Sequence, residues 1–217
     1  MIELDCWFNG KVDKLIKRII FDIDGTLITG VNFKSAILNA LRKYGVDDLE
    51  KVKTFLLNIS EYENTFDYYD RDLYLDFFSK KLGIKLDYSF LDIYFNELKY
   101  VVPKDSSKIK DMLNNLSDYD LVLLSNYFEE SQRNRLTTMG INDFFNEYYG
   151  EQSIKPNLSS YRSAQGNYLP SECLMVGDNK KLDIDVPKSL GFKTIYVNSN
   201  GDIDSVDKLS IQLIKKL

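Results

Sequence analysis

The chain of 217 residues is long enough for one sizeable domain, or for one domain with a small insert. Its 28 basic and 33 acidic residues give a net charge of −5, which argues against a large nucleic-acid-binding surface. The sequence contains no histidine, and this excludes histidine-based triads, histidine-ligated zinc and histidine general bases. Acid–base chemistry near neutral pH must therefore come from carboxylates, lysine, tyrosine or cysteine.

The sequence shows no signal for export or membrane insertion. The first twenty residues lack the continuous apolar stretch of a signal peptide, and no stretch approaches the length of a membrane span. Cys6 and Cys173 are far apart and have neither disulfide-framework nor metal-binding spacing, so we expect two free thiols in a reducing compartment. We therefore predict a cytoplasmic protein without a membrane partner.

The first predicted element is a short buried strand over residues 18–22, which ends in a carboxylate and is followed by Gly25 and Gly30. From Phe33 to about residue 100, apolar residues recur at helical spacing in four successive stretches. They predict an all-helical segment, which we call the helical insert (residues 31–100). Residues 1–30 and 101–217 are predicted to form the core.

After Pro103, helical stretches alternate with short apolar runs. Strands that alternate with helices predict an α/β fold in which a parallel sheet carries helices on both faces. The predicted strands of this part of the chain are 121–126, 148–149, 173–178 and 194–198.

Polar residues stand at the C-terminal ends of these apolar runs. Open parallel sheets bind their ligands at that edge. We therefore expect five residues that are distant in sequence to converge there, namely Asp22, Asp24, Ser125, Asn126 and Asp178. The helical insert directly follows the first strand, so it can cover the same edge as a lid.

Up to four carboxylates are predicted to share one crevice: Asp22, Asp24, Asp178 and Asp183. Two like charges ~4 Å apart repel by about 4 kcal/mol at an effective dielectric of 20. The cluster therefore needs a cation or a retained proton, and all-oxygen ligands suit Mg²⁺. A carboxylate beside Mg²⁺ can attack phosphorus, and a second carboxylate that keeps a proton can act as general acid and base.

Three further residues can contribute to phosphate binding. Lys155 lies in IKPN, where Pro156 favours a fixed extended loop, and its ammonium can neutralise phosphate oxygens together with Asp22. The Ser125 hydroxyl and the Asn126 amide can donate to a transferring phosphoryl group. Taken singly, each has a simpler interpretation: a surface lysine, a turn serine and a helix-capping asparagine.

The motifs FDIDGTL, LLSN, IKPN and VGDNKKLDID occur in this order. They resemble the four signature motifs of the haloacid dehalogenase superfamily of hydrolases, and the resemblance covers about residues 18–198. It implies a Rossmann-like core, and the helical insert occupies the place of the helical C1 cap of the superfamily's first subfamily. The residues before 18 are an extension that this pattern does not explain.

The resemblance implies a catalytic and phosphate-binding role for five residues. It makes Asp22 the nucleophile that forms an aspartyl-phosphate, and Asp24 the general acid and base. It makes Ser125, with the neighbouring Asn126, a ligand of the phosphoryl oxygens. Lys155 is implied to steady both the nucleophile and the phosphate.

The same resemblance implies a Mg²⁺ site. Asp22 and Asp178 are implied to bind the ion directly, and Asp24 through its backbone carbonyl. Asp183 is implied to orient the metal shell through water. Considered alone, Asp183 is also compatible with a helix N-terminal residue that interacts with the helix dipole.

Asp24 favours phosphoryl transfer, because dehalogenases of this superfamily do not usually carry a carboxylate at that position. The resemblance therefore implies a Mg²⁺-dependent phosphatase for a small phosphorylated metabolite, such as a sugar phosphate, a nucleotide or phosphoglycolate. The alternatives are a phosphomutase, a non-catalytic phosphate-binding or regulatory protein, and a 2-haloacid dehalogenase if Asp24 points away from the site. The inserted helices and the DGT sequence make a signalling receiver domain a poor match.

Overall fold

A computed structural model describes residues 16–217, and it confirms the predicted α/β fold. The centre is a five-stranded parallel sheet with the order β3-β2-β1-β4-β5. The strands are β1 (Arg18–Phe21), β2 (Asp120–Leu124), β3 (Glu147–Tyr149), β4 (Cys173–Gly177) and β5 (Lys193–Tyr196). β1 and β4 are buried along their whole length, as is typical of parallel strands covered on both faces. Cys173 is a buried free thiol, whereas Cys6 lies outside the described residues.

The central strands end at one level of the sheet. Phe21, the last residue of β1, is paired with Leu123 of β2 and with Val176 of β4. Four of the predicted strands, 18–22, 121–126, 173–178 and 194–198, extend one or two residues too far, because the residues that follow the observed strands leave the ladder. At the end of β1, one more hydrogen bond, from the Asp22 amide to the Val176 carbonyl at 3.0 Å, holds Asp22 next to β4. The C-terminal ends of the strands thus form one edge of the sheet, and this edge carries polar side chains.

Four helices follow β1 and form the helical insert. They are α1 (Lys34–Lys43), α2 (Leu49–Thr65), α3 (Arg71–Leu82) and α4 (Tyr88–Leu98). The carboxylates of Asp48, Asp70 and Asp87 accept backbone N–H groups at the start of α2, α3 and α4, so local caps fix where these helices begin. Inside the insert, the rings of Phe55 and Phe78 stack with their centroids 4.1 Å apart, at the centre of a cluster of buried aromatic residues.

Further helices cover the sheet itself. They are α5 (Ser107–Asn114), α6 (Glu129–Met139), α7 (Leu158–Gln165), α8 (Val186–Ser189) and α9 (Ile211–Ile214), with a π-helical turn over Lys180–Asp185. Because side chains alternate along a strand, Ile19 and Phe21 pack in one cluster with Leu136, while Ile20 packs with Tyr161 on the opposite face. Within residues 16–217, no helix combines the length and the apolar character needed to cross a membrane.

Candidate active site

A buried lysine joins two buried carboxylates at the C-terminal edge of the sheet. The Lys155 ammonium lies 2.8 Å from Asp22 Oδ1 and 2.7 Å from Asp183 Oδ1. The three residues are 5%, 6% and 0% exposed, respectively. This burial excludes the surface-lysine interpretation of Lys155. Asp183 also accepts from the Asn179 amide at 2.9 Å at the start of the π-helical turn, so its helix N-terminal interpretation and its place in the site are compatible. Charges this deeply buried are tolerated when they are paired, as they are here.

The electrostatics of the site follow from this burial. Burial raises the pKa of Asp22 to about 7; Lys155 opposes this rise, and Asp183 adds to it. Burial alone would lower the pKa of Lys155, but the facing carboxylates of Asp22 and Asp183 outweigh it and raise the pKa above its usual value. The site therefore holds a firmly protonated lysine against carboxylates whose negative charge is not fully compensated.

Three carboxylates are close enough to share a metal ion. Asp22, Asp178 and Asp183 each offer an oxygen within 4.8 Å of the others. Burial and the neighbouring charge of Asp183 raise the pKa of Asp178, so a cation beside it would favour its charged form. An all-oxygen donor set with surplus negative charge fits a hard divalent cation.

Two glycines allow the carboxylates to come together. Gly25 has φ +90°, and a Cβ atom there would lie 2.2 Å from Asp178 Oδ2. A Cβ atom on Gly177 would lie 2.3 Å from Cγ of Asp183. The Thr26 hydroxyl donates to Asp178 Oδ1 at 3.3 Å. The close packing of these acids therefore explains Gly25 and Thr26 in the first motif and Gly177 in the last.

Asn126 holds the loop that carries Lys155. The Lys155 amide donates to Asn126 Oδ1 at 2.7 Å, and Asn126 Nδ2 donates to the Lys155 carbonyl at 3.0 Å. Ser125 is 3% exposed, and its backbone is fixed on both sides: its amide donates to the Tyr149 carbonyl, and its carbonyl accepts from the Tyr148 hydroxyl. Ser125 and Asn126 thus border the crevice, and Asn126 also supports Lys155. Their contact with phosphate remains a prediction.

Asp24 is held by α6 and does not join the other acids. Its Oδ2 accepts from Gln132 Nε2 at 2.8 Å, and Arg135 Nη1 lies 2.7 Å from Oδ1 and 3.0 Å from Oδ2. Arg135 is only 2% exposed, and its Nε and Nη2 atoms donate to the Val101 carbonyl, just after α4. Asp24 is therefore oriented by a buried guanidinium that also contacts the end of the helical insert.

Two adjoining cavities meet at Asp24. The carboxylate crevice, of about 200 Å³, is lined by Asp22, Asp24, Glu63, Ser125, Asn126, Lys155, Asp178, Asn179, Leu182 and Asp183. The aromatic pocket, of about 180 Å³, is lined by Asp24, Phe33, Ile59, Glu63, Tyr69, Tyr94, Leu98, Asn126, Tyr127, Ser131 and Arg135. The sheet edge supplies most of the crevice, and the helical insert supplies about half of the pocket. All seven residues predicted for the site line the crevice.

Three residues that contact or line the site were not predicted from the sequence: Glu63, Gln132 and Arg135. For α6 a signal existed: Gln132, Arg135, Leu136 and Met139 follow helical spacing, so two polar residues continue an inward apolar face. For Glu63 the signal is weak, because α2 carries other acids and only the fold distinguishes the one that faces the site.

The chain is similar in structure to known hydrolases. It matches the L-2-haloacid dehalogenase of Xanthobacter autotrophicus at 22% identity and a TM-score of 0.62, over 84% of this chain and 78% of that one. It matches a HAD phosphatase of Thermococcus onnurineus at 24% identity and a TM-score of 0.56, over 88% and 94% of the two chains. At these identities the similarity shows a shared fold.

A third solved structure is a HAD family enzyme of Bacteroides thetaiotaomicron in complex with magnesium and inorganic phosphate. It matches at 17% identity and a TM-score of 0.59, over 85% of this chain and 95% of that one. No curated protein sequence matches the chain. A family model described as haloacid dehalogenase-like hydrolase matches residues 16–191, which is most of the chain. The protein therefore belongs to the haloacid dehalogenase-like hydrolase family.

Proposed function

We propose that this hydrolase is a Mg²⁺-dependent phosphatase that cleaves small phosphate monoesters through an aspartyl-phosphate on Asp22. One observation carries the proposal: the buried ammonium of Lys155 bridges Asp22 and Asp183 beside Asp178. This arrangement combines a carboxylate nucleophile, a fixed cation for phosphate oxygens and an oxygen donor set for a metal.

The proposed metal is Mg²⁺. Asp22, Asp178 and the backbone carbonyl of Asp24 would hold it, with Asp183 acting through water. Bound there, the ion would neutralise charge on the carboxylates and on the phosphoryl group. The excess of acidic over basic groups in the crevice supports this assignment, and the Bacteroides enzyme with magnesium and phosphate has the same fold.

The proposed first step forms the covalent intermediate. An Asp22 carboxylate oxygen attacks phosphorus, and the bond between phosphorus and the ester oxygen breaks. The electron pair of that bond stays on the ester oxygen, which takes a proton from the Asp24 carboxyl group and leaves as the alcohol. Lys155 and the Ser125 hydroxyl donate hydrogen bonds to the phosphoryl oxygens as charge moves onto them.

The proposed second step releases phosphate. A water oxygen attacks the phosphorus of the aspartyl-phosphate while Asp24 takes a proton from that water. The bond between phosphorus and Asp22 breaks, and its electron pair restores the Asp22 carboxylate. The two steps together consume one ester and one water, and they yield one alcohol and one phosphate.

The position of Asp24 supports phosphoryl transfer. It borders both the carboxylate crevice and the aromatic pocket, which is where the ester oxygen of a bound substrate would lie. A halide departs as an anion and needs no proton, so carbon–halogen cleavage gives Asp24 no role. The phosphomutase alternative uses the same first step and differs only in the acceptor of the second.

We also propose the core as residues 1–30 and 101–217, with the helical insert as a lid. The aromatic cluster of the insert supports this division. Two backbone hydrogen bonds dock the insert on the core: Tyr69 donates to Glu151, and Ile154 donates to Asp67. The buried aromatic cluster of the insert also packs against Phe128 and Ile154 of the core, and Arg71 pairs with Glu130. A movement that admits substrate would have to separate these contacts.

The test uses p-nitrophenyl phosphate with Mg²⁺ or EDTA, and L-2-chloropropionate in parallel. We expect Mg²⁺-dependent phosphate release and no chloride release. Asp22→Asn should lower turnover by about 10⁴-fold or more, because removal of a nucleophile disables both steps. Asp111→Asn, on an exposed acid of α5, is the matched control and should retain full activity. Chloride release, or full phosphatase activity in Asp22→Asn, would overturn the proposal.

A further inference from the structure

One carboxylate of the helical insert faces the site, and no basic side chain of residues 16–217 forms an ion pair with it. Glu63, on α2, lines both the carboxylate crevice and the aromatic pocket. Its Oε1 accepts a hydrogen bond from the Tyr69 hydroxyl at 2.8 Å. Burial raises the pKa of Glu63, while the Tyr69 hydroxyl, Lys155 and Asn126 oppose that rise. Glu63 therefore presents an acceptor group to whatever lies between the sheet edge and the insert.

The aromatic pocket offers no free cation among its described lining residues. Arg135 is the one basic side chain in that lining. Its guanidinium already contacts Asp24, Gln132 Oε1 and the Val101 carbonyl, and it lies 5.0 Å from the centroid of the Phe33 ring. A carboxylate on the alcohol part of a substrate would therefore meet Glu63 without a compensating charge.

The crevice does not supply such a cation either. Lys155 is the one basic residue in its described lining, and its ammonium is shared between Asp22 and Asp183. In the proposed reaction that ammonium is needed for phosphate. The charges that could balance a second anionic group of a substrate are thus already used.

We propose that the aromatic pocket selects phosphate esters whose alcohol part is uncharged or cationic and donates a hydrogen bond to Glu63, and that it disfavours phosphorylated carboxylic acids. This inference rests on the proposed function and names the substrate class. The pocket volume of about 180 Å³ lies below the ~300–1,000 Å³ of sites for drug-sized ligands, which indicates a short alcohol. Tyr94, Leu98 and Ile59 provide apolar surface for its carbon atoms.

The physical basis is discrimination by charge in a confined space. A like charge beside Glu63 is repelled, and an ammonium or hydroxyl group is attracted or hydrogen-bonded. Glu63 is half-buried, so this repulsion is screened less than repulsion between fully exposed charges.

Three two-carbon esters isolate the charge of the alcohol part: O-phosphoethanolamine, 2-hydroxyethyl phosphate and 2-phosphoglycolate. We expect kcat/KM to fall in that order, with the carboxylate ester ~10- to 100-fold below the hydroxyl ester. Glu63→Gln should raise the ratio for 2-phosphoglycolate over O-phosphoethanolamine by about tenfold or more, because it removes the charge and keeps an acceptor for Tyr69. Glu61→Gln, on an exposed acid of the same helix, should leave the ratio unchanged.

Binding separates this inference from the proposed function. Calorimetric titration of the same three esters into Asp22→Asn protein with Mg²⁺ should give the same order of affinity without turnover. If p-nitrophenyl phosphate is hydrolysed but 2-phosphoglycolate is turned over or bound as well as O-phosphoethanolamine, the selectivity is wrong and the phosphatase proposal stands. An unchanged ratio in Glu63→Gln would also overturn it. If no ester is hydrolysed, the phosphatase proposal fails, and the binding order alone decides the inference.

Discussion

The cleft between the sheet edge and the helical insert has two sides that carry different kinds of side chain. On the sheet side, Asp22, Lys155 and Asp183 are buried and paired, and the backbone around them is fixed by the parallel strands. On the side of the helical insert, apolar and tyrosine side chains surround a single carboxylate, Glu63. In the proposed reaction, the sheet side supplies the groups that act on the phosphate, and the insert side supplies the groups that distinguish the alcohols.

The two sides also differ in how well they should tolerate amino-acid substitutions. A substitution in the carboxylate crevice leaves a buried charge without its partner, which is costly for folding as well as for chemistry. A substitution in the aromatic pocket changes the surface that a substrate meets and leaves the ion pairs of the crevice intact. Arg135 is the exception, because it contacts Asp24 on one side and the Val101 carbonyl on the other.

The largest combined effect is expected where the sheet side is broken. Lys155→Ala leaves Asp22 and Asp183 buried without their shared cation, so the free energy of unfolding should fall by about 3–5 kcal/mol, and phosphatase activity should be lost. Urea unfolding measures this change. Lys180→Ala, which removes an exposed partner of Asp185, is the matched control and should have a much smaller effect. Equal losses in the two variants would contradict the account.

The connection between the two sides is tested through Arg135. Arg135→Lys cannot reproduce the fork that contacts both Asp24 and the Val101 carbonyl, so Asp24 should lose its orientation. We expect kcat for 2-hydroxyethyl phosphate to fall by about 10²-fold.

The dependence on the leaving group distinguishes positioning from general damage. p-Nitrophenolate needs little protonation, so the Arg135→Lys variant should hydrolyse p-nitrophenyl phosphate at a rate much closer to that of the wild type. Arg133→Lys, which alters a pair with Glu129 on the same helix, should affect neither substrate. A uniform loss with both substrates would show that Arg135 only supports the fold.

The smallest expected effect is the stabilisation of the fold by Mg²⁺, which depends on the sheet side alone. Mg²⁺ at about 100 times its Kd should stabilise the fold by ~2.7 kcal/mol, which corresponds to a rise in Tm of ~5–10 °C. Asp178→Asn removes one of three clustered carboxylates and should abolish most of this rise. Asp118→Asn, distant from the crevice, should keep it. A rise produced equally by Na⁺ at the same ionic strength would argue against a specific site.

The sheet side could be predicted because its signals are local. An apolar run that ends in a polar residue identifies a strand end, and a parallel fold brings such ends together. This reasoning placed Asp22, Ser125 and Asp178 at one edge, and the structure places them there. Lys155 and Asp183 were also candidates from the sequence, and the resemblance implied their roles, but the 2.7 Å contact between them joins two distant loops.

The insert side could not be predicted because its signals are tertiary. Glu63 is one of several acids on α2, and only the docking of the insert brings it beside Asn126 of the core. Arg135, on the core helix α6, lies at a position whose helical spacing predicts an inward face, but its contacts with Asp24 and with the Val101 carbonyl are tertiary. In the core, the turn over Lys180–Asp185 adopts π-helical bonding, which an apolar pattern does not distinguish from an ordinary helical turn.

The most direct test is to observe the covalent intermediate. Asp24→Asn protein, mixed with p-nitrophenyl phosphate and Mg²⁺, can complete the first step, because this leaving group needs no acid, but it lacks the base for the second. After an acid quench, mass spectrometry should show one phosphoryl group, located on Asp22 and absent when Asp22 is also replaced by Asn. Release of p-nitrophenol without a phosphoprotein, or a phosphoryl group on another residue, would contradict the central claim.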